Sequence, residues 1–138
     1  MSNYELQDMK FEDRDFIYKL IEDNLKPDLT VTVLKLKPLD EFFKAYLEND
    51  LKTYIVLVNK ERAGFIHITK NGEIGYYLTE KYQNKGIATN AVKEMLRLHP
   101  LGRYFATINI KNVRSNNLVK RLGFEPKGMI YEKKMTRI

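Results

Sequence analysis

Ile74-Gly75-Tyr76-Tyr77-Leu78 followed by Gln83-Asn84-Lys85-Gly86-Ile87-Ala88 is the stretch that decides the fold of this chain. The first segment has strand character. After the second, Ile87, Ala88, Ala91, Val92, Met95, Leu96 and Leu98 recur at helical spacing. A helix therefore starts near Gly86. Its first backbone N–H groups lack intrahelical partners and lie at the positive end of the helix dipole. Gly86 carries no Cβ to hold an oxyanion away, so the strand–turn–helix unit suits an anionic group such as a pyrophosphate.

Downstream stand Asn112, Ser115, Asn117 and Leu118, then Leu122-Gly123-Phe124. Gln-x-x-Gly-x-Ala at a strand-to-helix junction, followed by Asn-x-x-Ser and Leu-Gly-Phe, resembles the GNAT N-acetyltransferases, nearest the branch that acetylates the N-termini of ribosomal proteins. The resemblance covers essentially the whole chain. It implies an α/β GNAT fold: a mixed, largely antiparallel twisted sheet, splayed at the acetyl-CoA site and flanked by about four helices. Residues 1–138 then form one acetyltransferase domain.

The elements follow in a matching order. A strand near Tyr4–Met9 precedes a helix capped by Asp13, with Phe16, Ile17, Leu20 and Ile21 on its apolar face. Pro38 opens a second helix at its first turn, with Leu39, Phe42, Phe43, Tyr46 and Leu47 as the buried stripe. Between them, Lys26–Lys37 fits either a strand or an ordered loop. Tyr54–Val58 turns through Asn59–Arg62 into Phe65–Ile68, and Asn71-Gly72 signals a two-residue hairpin. Tyr104–Ile110 has strand composition, a helix spans about Arg114–Leu122 with Gly123 as its stop, and short strands near Glu125–Met129 and Tyr131–Thr136 close the chain.

Composition bounds the chemistry. With 138 residues and 43% apolar content, the chain is long enough for a core of several strands and helices. It contains no cysteine, which removes disulfides, thiolate metal sites and a cysteine acyl-enzyme, and only His67 and His99 as histidines, so no metal site is expected. It shows no signal-peptide pattern and no long apolar run, which predicts a cytoplasmic protein with no membrane partner. The net charge of +6 is divided unevenly. Residues 1–50 hold 7 Lys/Arg against 12 Asp/Glu and residues 51–138 hold 17 against 6, so the half with the anion-binding turn is the basic one.

The resemblance assigns roles. Acetyl-CoA is the donor and a primary amine, a peptide N-terminus or a small amine, is the acceptor, which attacks the thioester carbonyl directly in a ternary complex. Tyr77, Leu78 and Thr79 face the pantetheine arm, with the backbone amide of Tyr77 or Leu78 as oxyanion donor and Gly75 as a place for the bulge that splays the strand. Gln83, Asn84, Lys85, Gly86, Ile87, Ala88 and Thr89 hold the pyrophosphate. Asn112 and Asn117 bond the pantetheine amides, and Lys120 reaches a phosphate. Glu73 is the general base, with Glu132 as its rival. The tyrosine usual seven residues after the motif asparagine is replaced by Val119, and Ser115 takes its place at the leaving thiolate.

Plainer readings stand beside these. Glu73 is also a solvated strand end, Ser115 a helix-terminal hydroxyl, Lys120 a solvating charge, and His67 a packed or surface histidine. Tyr4, Tyr18, Tyr46 and Tyr54 read as core, and His99 as a ligand of the last carbonyls of its helix. The acids of residues 1–50, among them Asp13, Asp15, Glu22, Asp23, Asp40 and Glu41, either solvate helices or draw a cationic acceptor. Two other classes compete: a GNAT-fold domain that binds acetyl-CoA without catalysis, and a basic RNA-binding module. Gly72-Glu73-Ile74-Gly75 matches the bare KH loop, but it opens a strand and carries an acid, so nucleic acid is not an expected partner.

Overall fold

Four strands pair antiparallel in the order β1-β2-β3-β4, in a computed structural model that describes residues 3–31 and 35–135. They are β1 (Glu5–Asp8), β2 (Asp50–Val58), β3 (Glu61–Thr69) and β4 (Ile74–Leu78). Helices α1 (Arg14–Asp23) and α2 (Leu39–Asn49) fall between β1 and β2, while α3 (Ile87–Leu98) and α4 (Val113–Arg121) follow β4. Alternation along the strands divides the core. Ile55, Leu57 and Phe65 meet Ile17, Leu20 and Phe43 of α1 and α2. Val56, Ile66, Ile68, Ile74 and Leu78 meet Ile87, Ala91, Val92 and Met95 of α3. The sheet is thus covered on both faces.

The turns refine the sequence expectations. Asn59 and Lys60, at φ of 51° and 66°, form a two-residue turn whose twist matches the strands, so Glu61 and Arg62 belong to β3. Asn71-Gly72 does not make a two-residue turn. Residues 70–72 form a three-residue loop in which Gly72 N–H donates to Thr69 O at 3.0 Å and Thr69 N–H to Glu73 O at 2.8 Å. Gly72 sits at φ +92°, and a Cβ there would lie 2.5 Å from the Arg103 carbonyl oxygen. Gly75 is not at a bulge either: the β3–β4 register runs without a shift, and the glycine instead makes room for His67.

Asp13 stands at the N-cap of α1 but does not cap it. Its buried carboxylate accepts from the Lys10 amide at 2.8 Å and from Arg62 Nε and Nη2, each at 2.9 Å, pinning the start of α1 to β3. Pro38 is the residue before α2, outside the first turn. Leu47 and Leu98, expected in buried stripes, are exposed. Residues 26–31 are loop, while 32–34 lie outside the described residues. Tyr54 is buried core; Tyr4, Tyr18 and Tyr46 are half-buried with their hydroxyls bonded to Glu94, the Lys37 carbonyl and Thr53.

After α3 the ladder ends. Only Phe105 of Tyr104–Ile110 bridges the sheet, parallel to Glu73, through Ile74 N–H to Phe105 O at 2.9 Å and Phe105 N–H to Gly72 O at 3.0 Å. Side chains lead the segment elsewhere. Tyr104 Oη donates to the Leu96 and His99 carbonyls, and Asn109 Nδ2 donates to those of Pro27 and Thr30 at 2.7 and 2.8 Å. Without that strand the tail has no edge to join, and an isolated hairpin is marginal in water. Residues 125–135 are accordingly irregular and exposed, contrary to the two expected strands; Thr136 lies outside the described residues. Helix α4 stops as predicted: Gly123, at φ +89°, lets Phe124 N–H reach Val119 O at 2.9 Å and Gly123 N–H reach Lys120 O at 3.1 Å.

Candidate active site

Three pieces of chain meet at the open end of the sheet: the outer edge of β4, the turn at residues 83–89, and the first turns of α4. Asn84 and Gly86 adopt left-handed φ of 62° and 77°, which swings the chain into α3. Gln83 Nε2 donates to Leu78 O at 2.9 Å and ties the turn to the strand. The first helical bond runs from Asn90 N–H to Gly86 O at 3.1 Å, so the amides of Ile87, Ala88 and Thr89 point out of the helix end. Buried Ile87 anchors that end on the core, and among the described residues no atom beyond the glycine and its chain neighbours stands within 4 Å of where a Gly86 Cβ would be.

These pieces, together with the end of α1 and the loop after it (Leu20, Asp23, Asn24, Lys26, Asp28 and Leu29), enclose a cleft of about 1160 Å³. Its wall includes Tyr77, Leu78, Thr79, every residue from Gln83 to Thr89, Asn112, Ser115 and Asn117, so most of the predicted site residues converge. Glu73 and Lys120 are not in the wall, and Glu132 lies on the exposed tail. The sequence reading missed Arg114 and Arg121, which do line the cleft. The helical phase was available as a signal: burial of Leu118 and Val119 turns Arg121 to the cleft and Lys120 to solvent. Among the described residues Lys85, Arg114 and Arg121 make no ion pair, whereas Lys111 pairs with Asp28 at 3.7 Å.

The strand register separates the two candidate amides. Thr79 N–H donates to Ala63 O and Thr69 N–H to Glu73 O, each at 2.8 Å, so Tyr77, two residues from Thr79, turns its amide toward β3. Ile74 N–H points outward to Phe105, and by the same alternation so do Tyr76 and Leu78. Leu78, not Tyr77, therefore offers an amide at the cleft edge.

Asn112 caps α4, accepting from Ser115 N–H at 3.2 Å, while its Nδ2 donates to Leu29 O at 3.1 Å. Both polar atoms of its amide are thus engaged, Oδ1 with the first turn of α4 and Nδ2 with the loop at residues 26–30. Ser115 uses its N–H for that cap and its carbonyl to accept from Tyr76 Oη at 3.1 Å, and it lines the cleft. Burial pushes the Tyr76 phenol up to about 12, although the Ser115 side chain beside it opposes the shift. Val119 is buried core, so no acid can act from that position. Glu73 stands one residue before β4, and its charge adds to burial in raising the Tyr77 phenol. His99 turns its ring to Tyr54 Oη at 2.6 Å instead of to the carbonyls of α3.

A model of the acetyltransferase (GNAT) domain matches residues 5–125, and the chain belongs to the GNAT acetyltransferase family. No curated protein matches it. Among solved structures, a domain from Methanocaldococcus jannaschii DSM 2661 is 19% identical with a TM-score of 0.76, covering 92% of this chain and 91% of its own. The RimL ribosomal-protein α-N-acetyltransferase in complex with coenzyme A is 18% identical, TM-score 0.67, over 93% and 83% of the two chains. Spermidine N-acetyltransferase from Vibrio cholerae, with coenzyme A and spermine, is 15% identical, TM-score 0.76, over 97% and 88%. Identities this low establish a shared fold and do not single out an acceptor. Among the described residues no helix is long and apolar enough to cross a membrane.

Proposed function

We propose that residues 1–138 form a single N-acetyltransferase unit that moves the acetyl group of acetyl-CoA to a primary amine by direct attack in a ternary complex. The observation that carries this reading is the convergence, on one cleft, of the outward amides at residues 86–89, the free edge of β4 and the Ser115 hydroxyl. Pyrophosphate oxygens accept from the α3 amides, with Lys85, Arg114 and Arg121 supplying charge and Asn117 bonding pantetheine. The pantetheine arm pairs with the β4 edge at Tyr76 and Leu78.

The amine nitrogen forms a bond to the acetyl carbon while the carbonyl oxygen gathers charge opposite the Leu78 amide, a preorganised donor of the kind that dominates such reactions. The carbon–sulfur bond breaks, and the thiolate takes a proton from Ser115, whose hydroxyl regains one from solvent. Glu73, outside the cleft wall, receives the proton leaving the amine through an intervening water. An acceptor that arrives as ammonium therefore releases one proton per turnover. With no cysteine in the chain, initial-rate lines intersect instead of running parallel.

Calorimetry of coenzyme A binding to Gly86→Glu tests the reading. A carboxylate set against the pyrophosphate weakens affinity by at least about 100-fold, or ~2.7 kcal/mol, while the fold survives. Unchanged affinity would defeat the assignment.

A further inference from the structure

The donor occupies the β4 edge, the turn at residues 83–89 and the first turns of α4, which leaves the end of α1 and residues 26–29 as the cleft wall open to the acceptor. That wall is a closed turn. Lys26 O accepts from the amides of Leu29 and Thr30 at 3.0 and 3.1 Å and from Thr30 Oγ1 at 3.1 Å. The carbonyls of Pro27, Leu29 and Thr30 take their donors from side chains 79 to 83 residues further along the chain. Asn109 Nδ2 spans two of them, at 2.7 Å from Pro27 O and 2.8 Å from Thr30 O, and Asn112 Nδ2 holds Leu29 O at 3.1 Å. Asn109 Oδ1 meanwhile accepts from Lys111 N–H at 2.9 Å. Its backbone carbonyl accepts from Asn112 N–H at 2.9 Å and from Asn116 Nδ2 at 3.0 Å, at the entry to α4. Asn109 is half-buried and is not itself in the cleft wall.

We propose that Asn109 is a positioning residue for the acceptor: its amide fixes the turn at residues 26–30 against the entry to α4 and so sets the acceptor end of the cleft. The proposal rests on the acetyltransferase reading above. Helix α4 carries Ser115, so the clamp aligns the acceptor wall with the group that meets the leaving thiolate. The geometry selects asparagine by its chemistry. Two carbonyls bound to one nitrogen need two N–H donors on a single atom, and the Lys111 amide needs an acceptor on the same side chain. Aspartate has the acceptor and no donor; serine has one hydroxyl donor. Without the clamp the turn keeps its internal bonds to Lys26 O but loses two of the three side-chain bonds that locate it. A wall that holds the amine equally in the ground and transition states acts on KM, so its displacement raises acceptor KM and spares kcat. Donor binding is spared as well, because the turn at residues 83–89 stands on α3 and β4.

Hydrogen exchange of the protein saturated with coenzyme A, together with initial-rate kinetics, tests this. Asn109→Asp keeps the size of the side chain and its bond to Lys111 N–H but has no donor for Pro27 and Thr30. In that variant the Leu29 and Thr30 amides exchange at least about tenfold faster than in the wild type, while the amides of α3 and coenzyme A affinity by calorimetry stay within about twofold. Acceptor KM is read with whichever of n-propylamine, spermidine and an alanyl peptide the wild-type enzyme acetylates fastest. It rises about fivefold or more, and kcat stays within about twofold. Asn109→Ala behaves alike and carries the test where the aspartate lowers the melting temperature. Unchanged exchange at Leu29 and Thr30 in both variants, or a fall in kcat with KM unchanged, overturns the positioning role. Loss of coenzyme A binding by the wild-type protein overturns the acetyltransferase reading instead.

Discussion

The sheet from β1 to β4 and the stretch from Pro100 to Met135 are built on different principles, and the contrast bears on how the protein works. In the first, backbone ladders and two apolar faces fix every strand. In the second, one backbone bridge at Phe105 is followed by amide side chains: Asn109 holds Pro27 and Thr30, Asn112 holds Leu29, and Asn116 Nδ2 donates to the Asn109 and Asn112 carbonyls. A rigid scaffold presents the free edge of β4. A segment fastened by side chains supplies the opposite wall and needs no ladder that would close the cleft.

The largest effect expected from breaking this contrast is on stability. Phe65→Ala removes a fully buried ring from the centre of the sheet and costs about 3–5 kcal/mol in urea denaturation. Tyr131→Ala, at a side chain 87% exposed, changes stability by less than about 0.5 kcal/mol. Similar losses at the two positions would show that the tail is part of the core.

Next comes chemistry at the junction of the two regions. Ser115→Ala lowers kcat by about 100-fold or more with the best amine of an acceptor screen, the scale of a lost general acid, and leaves coenzyme A affinity unchanged. A small loss of kcat with unfolding of α4 would assign the serine to the helix alone, since its N–H and carbonyl already serve there.

Much of the scaffold was legible because its signals are local. Ile74–Leu78, the α3 periodicity and Gly86 specify strand, helix and turn by residue type. Other features depend on partners distant in sequence. Whether Tyr77 or Leu78 exposes its amide follows from pairing with β3, which composition does not reveal. Tyr104–Ile110 has strand propensity, yet Tyr104 and Asn109 find carbonyls on α3 and the loop at residues 26–30, and those bonds override it. Asp13 has the chemistry of a cap, but Arg62, 49 residues away, takes its carboxylate.

A medium effect separates the regions by pH. His67 lies in the scaffold with its pKa lowered by burial to about 4, so the unfolded chain, titrating near 6.5, binds the extra proton first. Stability from this group is fully present above about pH 6.5 and is lost as pH falls toward 4, by up to about 3 kcal/mol. Burial raises the Asp50 carboxyl, which works in the opposite direction over the acid range. His67→Phe should flatten the decline between pH 6.5 and 4 in urea titrations, and an unchanged slope would contradict the burial argument.

The smallest effect concerns the charge division between residues 1–50 and the basic remainder. Attraction of a cationic acceptor by the acidic part requires free carboxylates at the cleft. Yet Asp13 is bound by Arg62, Asp40 lies 3.4 Å from Arg14, and Asp23 lies 2.8 Å from Lys19. Of the six acids named from the sequence, only Asp23 lines the cleft. The basic side has Lys85, Arg114 and Arg121 in the wall without ion pairs among the described residues, so the net field there favours the polyanionic donor. The Debye length shortens from roughly 10 Å at 0.1 M salt to about 3 Å at 1 M, which screens such exposed charges. Raising salt over that range should weaken coenzyme A binding several-fold in calorimetry and change acceptor KM by less than about twofold. A stronger salt dependence for the acceptor than for coenzyme A would mean that unpaired acids such as Asp15, Glu22 or Glu41 steer it from outside the cleft.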